Sequence, residues 1–91
     1  MKFTLSKPYA FEGKEYTELD LNLDALTGRD VALSKREWSR SGGYTPLVTF
    51  DLEFCAYLGA KAAGLPFEFV DKLPAKDYCL LSQTVSNFLM Q

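Results

Sequence analysis

The hydrophobic period of the chain changes once, near residue 24, and that change limits the folds open to it. Phe3 and Leu5 alternate with Lys2, Thr4 and Ser6, and Leu19, Leu21 and Leu23 alternate with Glu18, Asp20 and Asn22. This is the period-two pattern of strands with one buried face. Between the two runs lies FEGKEY. Its Gly13 takes the positive φ of a tight turn without steric cost, so the runs are expected to pair as an antiparallel hairpin reversing at Glu12 to Lys14. Pro8 has no amide hydrogen for a ladder and is expected to mark an edge or the end of the first strand.

Beyond Thr27 the period is helical. Thr27 and Asp30 have the spacing of a capping box, and Val31, Ser34 and Trp38 then share one side of a helix expected over 28–40. Gly42, Gly43 and Pro46 stop it. A second helix is expected over 50–63. Phe50, Phe54 and Leu58 form a bulky ridge on it, and Ala56, Gly59, Ala60 and Ala63 a ridge of small residues that permits close backbone approach. Gly64 suits the position after its end. Pro66 is expected to open a short helix to about Lys72 and Pro74 the last one, since proline is favoured in a first helical turn. In that last helix Tyr78, Leu81, Val85, Phe88 and Leu89 make a core-facing stripe. The expectation is one α+β domain over 1–91: an N-terminal antiparallel hairpin within 1–24, packed on a helical part, 27–91, of three helices and one short helix.

Chemistry is constrained mainly by what is missing. The 91 residues include no histidine, which removes the commonest general base and metal ligand. No nucleophile-elbow sequence, phosphate loop or calcium-loop pattern is present. Cys55 and Cys79 lie far apart, outside any metal-ligand spacing, and are expected to be buried reduced thiols. Glu12, Glu15, Glu18, Asp20 and Asp24 fall at outward positions of the hairpin, where charge blunts an exposed edge. Neither catalysis nor a cofactor is expected. Without an apolar leader the chain reads as cytoplasmic, and its last segment is too short and polar to span a bilayer, which takes about 20 apolar residues.

Two surfaces remain as candidates for binding. Arg29, Arg36 and Arg40, seven and eleven residues apart, return to one side of the first helix, with Lys35 beside them and Trp38 nearby. Such a ridge is a solvated face, a nucleic-acid contact or a dock for an acidic helix. The net charge of −2 exerts no general pull on nucleic acid. The second candidate is the reverse side of the last helix, with Cys79, Ser82, Ser86 and Met90. After Asp77 no side chain carries a charge, and uncharged groups cost less to bury than ions. That side is expected to meet the monomer's own core, a sister copy or a client.

In FEGKEYTELDLNLDALTGRD and AKAAGLPFEFVDKLPAKDYCLLSQTVSNFL the sequence resembles the small tail assembly chaperones of long-tailed phages, the group that includes the Mu-like and P2-like chaperones. The shared elements are a proline-ended first strand (Leu5, Pro8), the Gly13-Lys14 turn before a Leu-alternating strand, the Gly-Arg-Asp helix start at 28–30, the Ala62 to Pro66 step and the tail from Leu73 to Leu89. The resemblance covers most of the chain. It implies a non-enzymatic protein of the bacterial host cytoplasm, absent from the finished virion. Its partner would be the tape-measure protein, kept soluble during tail-tube assembly, with a sister copy as a further partner and no membrane. The competing reading is a small nucleic-acid-binding regulator that uses the basic helix face.

Overall fold

Lys2–Phe11 and Lys14–Asp20 form antiparallel strands β1 and β2 in the computed structural model, which describes residues 1–40, 42–43 and 51–90. The reversal falls at the expected place. Glu12 and Gly13 have φ of 49° and 78°, and positive φ at both central residues is the mark of the type I′ turn, whose twist matches that of the flanking strands.

The ladder has two registers. Phe3 faces Leu19 and Thr4 faces Glu18, but Tyr9 faces Tyr16 and Phe11 faces Lys14, so residues 5–8 stand against Thr17 alone. Extra residues bend a strand and sharpen its twist. The break lies where the inward residues of β2 step by three, from Leu19 to Tyr16, instead of by two. Pro8 sits inside this irregular stretch, where no ladder donor is required; of the two placements expected for it the edge holds, since both strands of a two-stranded sheet are edges, and β1 continues past it to Phe11. β2 in turn stops at Asp20. Leu21 still exchanges bonds with Met1, at 2.7 and 3.1 Å, but the Asn22 amide donates to the Ala62 carbonyl at 3.0 Å. Leu23, expected in the strand, instead opens a 3₁₀ turn, Leu23–Ala25, and is buried there.

Helix α1 spans Gly28–Arg40, as expected. The Thr27 amide donates to Asp30 Oδ2 at 2.9 Å, and Thr27 Oγ1 accepts from the Asp30 amide at 3.4 Å, closing the capping box. Gly42, at φ 100°, and Gly43 return amide bonds to Ser39 and Trp38. Gly43 lies so close to the Trp38 indole that a β-carbon there has no room. Helix α2, Leu52–Ala62, is capped by Asp51, whose carboxylate accepts from the Phe54 amide at 3.0 Å. Phe50 lies outside the described residues, but Phe54 and Leu58 are fully buried. On the small side, a β-carbon at Gly59 would meet Leu81 and Val85 of helix α3, Ala75–Leu89, at 3.1–3.3 Å. The missing side chain sets the approach of the two helices.

The short helix is narrower than expected, a 3₁₀ turn over Phe67–Val70 following Pro66. It is the anchor for the hairpin. Phe69, wholly buried, receives the rings of Tyr9, Phe11 and Tyr16 edge-on with centroids at 5.0–5.1 Å. Tyr9 Oη also donates to the Phe69 carbonyl at 2.7 Å. α2 therefore lies centrally, packed on α1, α3 and the Phe67–Val70 turn, while β1 reaches α3. The arrangement is the expected α+β one.

Candidate partner-binding surfaces

The outer side of α1 presents Arg29, Lys35, Arg36 and Arg40 to solvent, as the seven- and eleven-residue spacings require. Arg40 is held by Glu37 at 2.9 Å, but among the described residues Arg29, Lys35 and Arg36 make no ion pair. Ala32, Lys35, Arg36, Ser39 and Arg40 line a shallow concavity of about 450 Å³. Trp38 does not share this surface. It is 2% exposed, its indole meets Phe54 edge-on, and its Nε1 donates to Glu53 Oε1 at 2.6 Å. The ring thus ties α1 to α2 and carries the basic ridge on its back. Lys61, 3.9 Å from Asp30, joins the other ends of the same antiparallel pair. Ser34, on the same buried side as Trp38, has a hydroxyl with no hydrogen-bond partner among the described residues.

The uncharged side of α3 is divided between inside and outside. Ser82 is 1% exposed and its Oγ donates to the Leu52 carbonyl at 2.9 Å, which satisfies a polar group buried between the helices. Ser86 is half-buried, whereas Cys79 and Met90 are exposed. Together with Asp51, Leu52, Cys55, Gln83 and Asn87 they line a groove of about 490 Å³ between the start of α2 and the length of α3. Leu52 and Met90, 51% and 54% exposed, stand on its rim, and Asp51 is the one carboxylate among the described residues that line it. Leu52 was missed from sequence because, in the helix expected over 50–63, it falls on neither the Phe50, Phe54 and Leu58 ridge nor the ridge of small residues. The fold recruits it by setting that first turn beside α3.

The two thiols separate. Cys55 is buried, and burial, with Asp51 nearby, pushes it up to about 11. Cys79, expected in the interior, is exposed on the flank of α3. A thiol reagent at pH 8 is therefore expected to modify one cysteine per native chain and two in denaturant, because the thiolate is the reactive form and Cys55 lacks both charge and access. Native stoichiometry of zero or two would overturn this placement.

A concavity of about 300 Å³ brings Glu37, Arg40, Glu68 and Asp71 together beside Tyr57 and Phe67. One of about 630 Å³ at the base of the hairpin is lined by Met1, Leu21, Asn22, Asp24, Asn87 and Phe88 among others, with Asp24 its single carboxylate. Among the described residues no cluster of His, Cys, Asp and Glu can hold a metal ion, and no helix is long and apolar enough to cross a membrane. The two candidate surfaces are thus a groove on α2 and α3 with Asp51 at one end, and a basic ridge on α1.

The described residues form a small α+β domain of one hairpin and three helices. The chain is a member of the phage tail assembly chaperone family: residues 2–90 match the family described as phage tail assembly chaperone proteins, E, or 41 or 14. No curated protein and no solved structure matches the chain.

Proposed function

We propose that the chain acts without catalysis, in the cytoplasm of the bacterial host, by binding the tape-measure protein and keeping it soluble while the tail tube assembles. The observation that carries this reading is the groove between α2 and α3, rimmed by exposed Leu52 and Met90, whose described lining residues carry no charged side chain apart from Asp51. A long helical client exposes apolar stripes that aggregate unless covered. A groove with Cys79, Ser86, Gln83 and Met90 along it accepts such a stripe in the helix-in-groove manner, with uncharged polar groups to meet the client's backbone and edges. Trp38 and Ser82 serve from inside, fixing the helices that form the two surfaces, and Arg29, Arg36 and Arg40 provide the second, basic surface. A sister copy uses the same faces when no client is present.

Co-expression with the client tests the reading. The tape-measure protein, insoluble alone, is expected to co-purify with this chain as a soluble complex, and Leu52→Glu with Met90→Glu is expected to return it to the pellet. A client that stays insoluble and unbound beside the unaltered chain would overturn the proposal.

A further inference from the structure

The groove on α2 and α3 leaves the basic side of α1 unused, and that side has a shape as well as a charge. Ala32 and Ser39 are seven residues apart, which is about 10 Å along a helix. They form a small-residue floor, and Lys35, Arg36 and Arg40 stand around it. All five are exposed. A floor of small side chains between long ones is a groove that accepts the ridge of a second helix. The long stems can cover apolar surface while their charged ends reach outward.

The charge indicates the occupant. The chain as a whole is acidic at −2, and its hairpin exposes Glu12, Glu15, Glu18 and Asp20. A helix laid along the concavity meets Lys35, Arg36 and Arg40, with Glu37 already engaged by Arg40, so its charge complement there is acidic. Of the basic residues lining the concavity, Arg40 alone has a carboxylate partner among the described residues, Glu37.

We propose that this face of α1 docks an acidic helix of the client, with carboxylates on successive turns meeting Lys35, Arg36 and Arg40 and a small or apolar ridge resting on Ala32 and Ser39. The inference rests on the proposed function and adds a second contact of opposite character to the first. The uncharged groove supplies salt-insensitive burial, and α1 supplies charge complementarity, which acts mainly on encounter rate and register. Exposed ion pairs contribute little singly, so the α1 contact alone is weak and strongly salt-dependent.

The probes are a synthetic Ala/Glu helical peptide with Glu at every fourth position, its Lys-for-Glu counterpart and a duplex DNA, each measured against the full chain by fluorescence anisotropy at low and high salt. The Glu peptide is expected to bind at low salt, and Lys35→Glu with Arg36→Glu to weaken it by about tenfold or more, the difference vanishing at high salt. Arg36→Gln, which removes charge without adding repulsion, is expected to fall between. Circular dichroism of each variant establishes that the helix is intact. Absence of Glu-peptide binding, equal binding to the reversed chain, or preference for DNA or the Lys peptide would overturn the proposal. The salt dependence of the co-expressed client complex separates the two readings. If Lys35→Glu with Arg36→Glu leaves it unchanged, the α1 contact fails and the proposed function stands.

Discussion

Phe69→Ala is expected to lower the unfolding free energy by about 4 to 5 kcal/mol, the upper range for a large aromatic removed from a core. Phe69 is wholly buried and is the ring on which Tyr9, Phe11 and Tyr16 converge. Its loss removes transfer energy, leaves a cavity, and breaks three edge-to-face pairs that contribute beyond their buried area. The neighbours cannot easily collapse inward, because Tyr9 is also held by its hydroxyl on the Phe69 carbonyl. A chain of this size is stable by about 5 to 14 kcal/mol in all. The variant therefore unfolds in mild urea, or at physiological temperature if the parent lies at the low end. Phe69→Leu keeps most of the volume and is expected to recover more than half the loss. Urea titrations with an unchanged slope report the difference. A loss below about 1.5 kcal/mol for Phe69→Ala would show that the three rings repack without it, and that the hairpin is held elsewhere.

The contrast between this anchor and the helix ends shows which information the sequence carried. Thr27 with Asp30, Gly13, Gly64 and the prolines before the last two helical segments act within a few residues, and each acts as expected. Tyr9 and Phe69 are 60 residues apart, and nothing in the period of either segment indicates their pairing. The break in the ladder is hidden for a related reason. Alternation is visible in Leu19, Leu21 and Leu23, but the shift to Tyr16 makes sense only once β1 contributes extra residues. The basic side of α1 was legible because charges at helical spacing opposite a buried stripe have nowhere else to go. The α3 side was only half legible, since uncharged residues satisfy both a core and a surface. Ser82 went inward to the Leu52 carbonyl, and Cys79 stayed outside.

Asp77 is the sharpest case of a residue that sequence reading passes over. An acid in the first turn of a helix reads as a partner for the helix dipole at the surface. In the structure it is 1% exposed, and it accepts from the Ser6 amide at 3.0 and 3.2 Å and from the Ser6 hydroxyl at 2.9 Å. Among the described residues it has no cation, so the carboxylate is held by these donors and by the amino-terminal end of α3. The amide it captures belongs to the stretch of β1 that has lost its ladder register, so Asp77 supplies the acceptor that β2 does not. Asp77→Ala is expected to cost about 3 kcal/mol, because hydrogen bonds to a charged group are strong and their loss leaves the Ser6 donors without their acceptor. Asp77→Asn retains one acceptor and is expected to cost about half as much, while Ser6→Ala removes only the hydroxyl and costs about 1 kcal/mol. In the double-mutant cycle of Asp77→Ala with Ser6→Ala, a coupling of at least about 0.5 kcal/mol is expected, since the two share a bond. Additive losses, or an Asp77→Ala variant within about 0.5 kcal/mol of the parent, would mean that water replaces the carboxylate at no cost. In that event the hairpin would be joined to the helices by the Phe69 cluster and by the core contacts of Phe3, Leu5, Leu19 and Leu21, and the Ser6 amide would exchange as freely as that of an exposed edge strand.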